Sequence, residues 1–225
     1  MPIYNASITT IDKGETKRYA GLSKVNFDEN LIDKACLEAQ LLGNAKGIWE
    51  IYDYNNRTHT IESAQPIQIQ GKIVQRHLQN ATKVAVLAVT VGEEIEQAVT
   101  NHFKNNAYTH SVLLDAAATT AVEMAADAME KSIKQNARAK GYQTVMRFSP
   151  GYGDWDIKFQ PEMLHLTSAH RIGISLTDSM MLIPRKSVTA IIGFVPNNAD
   201  CTLTEKHSCE SCNKLDCLAR KESSS

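Results

Sequence analysis

Apolar residues recur at helical spacing in several stretches of the chain. Residues 28–42 carry them every three or four positions, and Gly43 follows as a stop signal. Residues 107–139 contain the longest predicted helix, which is dense in alanine, the residue of highest helix propensity. Residues 1–26 have little periodicity, so strand and loop are expected there. Shorter helices are predicted over 71–80, from Gly92 onward, and from Gln160-Pro161 to about Gly173.

Other stretches have the pattern of β-strands. The run Lys83–Val91 is the most continuous apolar stretch, and it is rich in valine but too short to span a membrane. It therefore predicts a strand that is buried on both faces. Residues 47–54 and 58–62, joined through Asn55-Asn56, predict a β-hairpin. Further strands are predicted over 66–70, 174–178, 180–184 and 187–195.

The composition is that of a globular protein, with 43% hydrophobic and 22% charged residues. The net charge of -1 gives no bulk attraction to nucleic acid or to anionic membranes. No apolar run is long enough for a bilayer, and no basic segment followed by an apolar one opens the chain. We therefore expect a cytoplasmic protein, with one folded domain over 1–198 and a cysteine-rich tail over 199–225.

A tight turn is predicted within Arg147-Phe-Ser-Pro-Gly-Tyr-Gly153. The strand-like run 144–148 ends at Pro150-Gly151, where proline fixes φ and glycine permits a positive φ. Tyr152 follows as an aromatic residue of exposed type. Arg147 precedes the turn, and its planar, permanently charged guanidinium suits a carboxylate or a phosphate. An ordinary turn, with Arg147 in a surface ion pair, is the alternative.

Glu123 is a second candidate, because it stands among alanine, valine and methionine in the longest predicted helix. It shares a helix face with residues 119, 120, 126 and 127. A carboxylate in such surroundings lies either at the solvated edge of the helix or next to a cation in the interior. Both interpretations remain open from the residues alone.

Four of the five cysteines lie in the predicted tail, at positions Cys201, Cys209, Cys212 and Cys217. Four thiolates complete a tetrahedral set for zinc or for an iron–sulfur cluster, with His207 as a substitute ligand. A reducing compartment favours such metal chemistry over a disulfide framework. A tail of free thiols is the alternative. Cys36, in the first predicted helix, is expected to be a small buried apolar residue.

Three motifs in order resemble the activation domain of cobalamin-dependent methionine synthase. They are Arg147-Phe-Ser-Pro-Gly-Tyr152, then Ile172-Gly-Ile-Ser-Leu-Thr-Asp-Ser179, then Pro184 with Ser187-Val188. That family has Arg-Pro-x-Pro-Gly-Tyr before Gly-x-x-Leu-Thr-Glu-Ser and a Ser-Val strand, and the helix bearing Glu123 resembles its Ala-Glu helix. The resemblance covers roughly residues 110–195, and the order and spacing of the motifs make it specific.

The resemblance implies an α+β fold, a single domain with a twisted, largely antiparallel sheet and flanking helices. It also implies binding of S-adenosylmethionine and support for the reductive methylation of an oxidised corrinoid, as an accessory of methyltransferase activity. By the matching positions, Arg147 would bind the methionyl carboxylate and Glu123 would face the α-amino group. The backbone around Pro150, Gly151 and Tyr152 would line the cofactor.

The sequence also departs from the family pattern. It lacks an Asp-x-His-x-x-Gly corrinoid box, so we expect a stand-alone subunit whose corrinoid arrives on a partner, a methionine synthase or another corrinoid methyltransferase. The cysteines replace a tyrosine-containing stretch of the family, which suggests an electron relay within the chain. Two other functions are considered: an iron–sulfur reductive activator that does not bind S-adenosylmethionine, and a zinc-clipped module that only recognises a partner.

Overall fold

The computed structural model describes residues 3–5 and 8–197. Over these residues the chain forms six α-helices, nine strands and two short 3-10 helices. The α-helices are α1 Lys13–Tyr19, α2 Glu29–Leu42, α3 Lys72–His77, α4 Glu94–Lys104, α5 Tyr108–Ala139 and α6 Gln160–Thr167. The strands are β1 Tyr4–Asn5, β2 Lys46–Asn55, β3 Thr60–Glu62, β4 Ile67–Gln68, β5 Lys83–Thr90, β6 Tyr142–Thr144, β7 Ser175–Leu176, β8 Leu182–Ile183 and β9 Ser187–Pro196. The 3-10 helices are Ile157–Phe159 and Ala169–Ile172.

Within the described residues, one open sheet of seven strands has the order β4-β3-β2-β5-β9-β6, with β1 also paired to β2. Every pairing in this sheet is antiparallel, and β7 and β8 form a separate antiparallel pair. The central strand β5 pairs over its whole length with both β2 and β9. The prediction of an α+β domain with a largely antiparallel sheet is confirmed.

The sheet is buried on both faces, as the apolar run of β5 predicted. Ala85, Leu87 and Val89 pack into one core, which also contains side chains of α2 and α5. Val84 and Val86 point the opposite way, into a second core with residues of α3 and α6. Successive side chains of a strand alternate between faces, so an uninterrupted apolar strand requires two cores.

The first 26 residues were expected to be strand and loop, and this expectation was wrong over α1. Asp12 caps this helix, since its carboxylate accepts a hydrogen bond from the Glu15 amide at 2.9 Å. The seven-residue helix is held by contacts distant in sequence: buried Thr16 donates to the Thr120 hydroxyl at 3.2 Å, and the Cys36 thiol contacts Thr16 at 3.6 Å. Cys36 is buried, as predicted.

The long helix α5 lies very close to the sheet at Gly47. A Cβ atom built on Gly47 would lie 1.9 Å from the Met129 methyl group and 3.3 Å from Val89. Met129 is fully buried, so the space that a side chain at position 47 would need is already filled. Gly47 therefore sets how closely α5 can pack on β2.

The other predicted helices and strands are present in the described residues, but their first and last residues differ from the prediction. The strand-like run 144–148 is a strand only at Thr144, where β6 ends, with one further bridge at Phe148. The hairpin turn extends beyond Asn55-Asn56 to residue 59, and His59 has a positive φ of 56°. The helix predicted from Gln160 to about Gly173 is α6 followed by a 3-10 turn.

No helix among residues 3–5 and 8–197 is long and apolar enough to cross a membrane. The predicted tail, with Cys201, Cys209, Cys212 and Cys217, lies outside the described residues.

Candidate functional site

The segment that precedes the predicted turn is fastened to the sheet. β6 ends at Thr144, but the chain rejoins β9 at Phe148, whose amide and carbonyl both hydrogen-bond to Ile191 at 2.9 and 2.8 Å. Phe148 is buried, and its ring stacks on Trp155 with centroids 6.2 Å apart. Arg147 is thus held on backbone that is fixed to the sheet.

The turn itself is braced by hydrogen bonds at both ends. The Gly151 amide donates to the Trp155 carbonyl at 2.7 Å, and Gly151 has a φ of 93°, as its glycine predicted. Asp154 accepts hydrogen bonds from the amides of Lys72 at 2.6 Å and Ile73 at 2.9 Å. Because these amides open α3, Asp154 acts as a cap that ties the turn to that helix.

Arg147 is surrounded by three carboxylates on one face of α5. Its guanidinium donates to Glu123 at 2.8 Å and to Glu130 at 2.7 Å, and it also pairs with Asp127. The spacing of four and three residues puts these carboxylates on one helix face. We call these four residues the Arg147 cluster.

The three carboxylates differ in their exposure to solvent. The side chain of Glu130 is 10% exposed, that of Glu123 37% and that of Asp127 70%. Glu130 also pairs with Lys134 at 2.6 Å. Burial alone would lower the pKa of Arg147, but the ion pairs with Asp127, Glu123 and Glu130 raise it above the usual range. Arg147 is therefore permanently charged, and three carboxylates face two cations.

A cleft of about 350 Å³ continues from this cluster along α5. This volume is within the range of small-molecule sites, although the cleft is open to solvent. All six lining residues are of charged or polar types, and their aliphatic stems also contribute to the surface, which suits a ligand with polar and apolar parts. The lining residues are Asp127, Glu130, Lys131, Lys134, Gln135 and Arg138.

The structure brings together two of the five residues predicted to bind the cofactor. Arg147 and Glu123 contact each other directly, and Glu123 combines elements of the two interpretations, because it lies beside a cation while its side chain is 37% exposed. Pro150 is buried, whereas Gly151 and Tyr152 are exposed. The large aromatic residue Tyr152 is 67% exposed to solvent.

Sequence reasoning missed Asp127 and Glu130. The signal was present, because they follow Glu123 at four and seven residues on the same helix face. Their role became visible only when Arg147 was placed between them.

A protein-family model matches more than half of the chain. Residues 53–205 match "Vitamin B12 dependent methionine synthase, activation domain". The chain belongs to this family. The match begins well before residue 110, so the family relationship extends further toward the amino terminus than the three motifs indicated.

A solved structure has a similar fold. The MetH reactivation domain bound to AdoHcy superposes with a TM-score of 0.59 at 13% sequence identity. The superposition covers 93% of this chain and 83% of that one. At this identity the likeness concerns the fold of the activation domain. A sequence search of curated proteins found no match.

Proposed function

We propose that this activation-domain protein binds S-adenosylmethionine and supports the reductive methylation of an oxidised corrinoid carried by a partner. The observation that carries the proposal is the Arg147 cluster. It places the arginine of the Arg-x-x-Pro-Gly-Tyr motif against the alanine-rich helix of a chain that belongs to the activation-domain family.

The charges of the cluster complement those of the ligand. S-adenosylmethionine carries one carboxylate, one ammonium group and one sulfonium group, so its amino-acid end needs a cation and an anion close together. Arg147 and Glu123 supply this pair at 2.8 Å. The surplus of carboxylates over cations in the cluster favours a ligand with a net positive charge.

Binding requires Arg147 to exchange one of its partners for the ligand carboxylate. Glu130 is the least suited to leave, because it is buried and would keep only Lys134 as a counter-ion in a low-dielectric site. Asp127 is largely exposed, and an exposed ion pair contributes only about 0–1 kcal/mol. We therefore propose that the ligand carboxylate replaces Asp127 on Arg147, while Glu123 turns to the ammonium group.

The turn after Arg147 supplies the second wall of the proposed site. Exposed Gly151 offers backbone that carries no side chain, and exposed Tyr152 offers an aromatic ring. Buried Pro150 and the Asp154 cap hold the turn in place. A site that is fixed in advance loses little conformational entropy when it binds. We assign Pro150 a positioning role rather than a direct contact.

The corrinoid would be supplied by a partner with a corrinoid box, such as a methionine synthase or another corrinoid methyltransferase. One electron reduces divalent cobalt, and the methyl group of the sulfonium then passes to the reduced metal and leaves S-adenosylhomocysteine. This chain contributes by holding the methyl donor against the partner's cobalt, a gain in proximity and orientation. The electron comes from an external donor of low potential.

Cys201, Cys209, Cys212 and Cys217 remain a proposed site for an iron–sulfur cluster or for zinc. Four soft thiolates within seventeen residues form a complete ligand set for either. Metal analysis of anaerobically prepared protein, before and after Cys209→Ser, tests this proposal. Protein that contains neither iron nor zinc before the substitution would exclude the site.

The function is tested first by calorimetric titration with S-adenosylmethionine and with S-adenosylhomocysteine. We expect saturable binding of both, with a preference for the sulfonium compound because of the acidic surplus. The second stage adds a corrinoid partner in the divalent cobalt state and a strong reductant under anaerobic conditions. Methylcobalamin should form, as followed by the visible spectrum, only when protein and S-adenosylmethionine are both present. Binding without methylation would refute the reactivation role, and absence of binding would refute the site.

A further inference from the structure

A second polar cluster joins three helices at the amino-terminal end of α5. Glu38 of α2 lies between His102 of α4 and His110 of α5. One carboxylate oxygen of Glu38 contacts Nε2 of His102 at 2.8 Å, and the other contacts Nε2 of His110 at 2.5 Å. The two imidazole rings meet edge to face with centroids 4.6 Å apart. We call these residues the three-helix cluster.

The positions of the two histidines are fixed by the short connection between α4 and α5. The Ala107 amide donates to the His102 carbonyl at 2.9 Å, and Asn106 takes a positive φ of 63° to close the turn. The Ser111 hydroxyl donates to the Val99 carbonyl at 2.8 Å, which locks the first turn of α5 onto α4. Both imidazoles are thereby presented to α2 on well-supported backbone.

The backbone of α2 around Glu38 is also held in place by packing. The neighbouring Ala35 and Ala39 are fully buried in the core that α2 shares with α5. The Glu38 side chain is 29% exposed, and those of His102 and His110 are 32% and 21% exposed. Solvent and small ions can therefore reach the three groups, while their backbone is held by packing.

The donor set is one that transition metals prefer. Two imidazoles and one carboxylate provide three of the four ligands of a zinc site, and the fourth can be water. In tetrahedral zinc sites the ligand atoms lie about 3.4 Å apart, given metal–ligand bonds of about 2.0–2.1 Å. One ligand atom from each of the three residues lies within 4.8 Å of the others, so side-chain adjustments suffice to enclose an ion.

We propose that Glu38, His102 and His110 bind a divalent transition ion, with zinc the best fit, and that the ion clips α2, α4 and α5 together. Hard ions such as magnesium are poor candidates, because imidazole suits zinc and its neighbours. The site is separate from the Arg147 cluster. On α5, Glu123 comes thirteen positions after His110, which corresponds to about 20 Å along the helix axis.

The site is tested with the full chain and three variants. Glu38→Gln keeps the size of the side chain and can hydrogen-bond to both imidazoles, but an amide is a poor zinc ligand. His110→Gln removes one imidazole. His170→Gln is the matched control, since His170 is exposed and lies on the 3-10 turn after α6. Zinc is measured by equilibrium dialysis, and the histidine ring signals are followed by NMR during the titration.

We expect the parent and His170→Gln to bind one more equivalent of zinc than Glu38→Gln and His110→Gln. Counting this difference removes any zinc bound by the tail cysteines, which all four proteins share. Two histidine ring signals of the parent should move with zinc, and the parent's unfolding temperature should rise more than that of Glu38→Gln. Equal zinc uptake by Glu38→Gln and the parent would overturn the proposal. So would unchanged histidine signals in the parent, which would leave a metal-free hydrogen-bond network.

Discussion

The two polar clusters that include residues of α5 have opposite arrangements of charged and polar groups. In the Arg147 cluster a central cation is surrounded by carboxylates, whereas in the three-helix cluster a central carboxylate is flanked by two imidazoles. Three members of the first cluster lie within eight consecutive positions of α5, whereas the members of the second come from three helices. The carboxylates of the Arg147 cluster can therefore be recognised from their spacing in the sequence. The three-helix cluster forms only because the helices pack together. The following substitutions test whether the two clusters are independent and whether their roles differ.

Removing the central cation should have the largest effect. Arg147→Ala leaves the buried Glu130 with Lys134 as its remaining cationic partner, and breaking a buried ion pair costs about 3 kcal/mol. It also removes a charged hydrogen bond to the ligand, which should weaken S-adenosylmethionine binding about ten- to a hundredfold. Thermal unfolding and calorimetry below the midpoint of unfolding measure the two effects.

Arg57→Ala is the matched control for this substitution, because Arg57 is exposed in the turn between β2 and β3. It should change neither the unfolding temperature nor the affinity. If folded Arg147→Ala binds S-adenosylmethionine as tightly as the parent, Arg147 is a structural cation only.

Neutralising Glu123 should affect binding more than stability. Glu123→Gln retains helix propensity and a hydrogen bond to Arg147 but loses the charge proposed to meet the ammonium group. Affinity for S-adenosylmethionine should fall about tenfold, the scale of one charged contact. Glu62→Gln, at the exposed end of β3, serves as control. Equal affinities of the two variants would remove Glu123 from the site.

Breaking the three-helix cluster should affect stability and leave ligand binding unchanged. Glu38→Ala removes the acceptor of both histidine contacts, which should lower the free energy of unfolding by about 1–2 kcal/mol. Because the clusters are about 20 Å apart, the effects of Glu38→Ala and Glu123→Gln should add in the double variant. A non-additive change in affinity would show that the clusters are coupled through α5.

The smallest effect is expected at the exposed member of the Arg147 cluster. Asp127→Asn removes the partner that the ligand carboxylate is proposed to displace, so binding should stay equal or tighten by no more than about threefold. The stability should change by less than about 0.5 kcal/mol. A large loss of affinity would mean that Asp127, not Glu123, meets the ammonium group.

The sequence predicted the elements whose pattern repeats over many residues. The helices α2 and α5 and the doubly buried strand β5 were found because their periodicity is set by the core on which they pack. Helix α1 escaped because seven residues are too short for a periodic signal. Its stability comes from a cap and from the contact between Thr16 and Thr120, which are 104 residues apart.

The candidate sites were predictable to different degrees for the same reason. Arg147 and Glu123 were found through motifs, and Asp127 and Glu130 could have been found by helical spacing from Glu123. Glu38 is separated from His102 and His110 by 64 and 72 positions in the sequence, so no local pattern relates these three residues. The structure adds a feature that the motif did not predict: the Arg147 guanidinium already has three carboxylate partners, one of which a ligand carboxylate must displace.

The close approach at Gly47 has a consequence for how the protein tolerates change. Met129, whose methyl group fills the space beside Gly47, lies on α5 between Asp127 and Glu130. A side chain at position 47 would force the buried Met129 side chain to repack and so disturb this turn of α5, while Arg147 stays held to β9 through Phe148. In a mutational screen for ligand binding, a glycine on the far strand β2 should therefore score among the site residues, although it never touches the ligand.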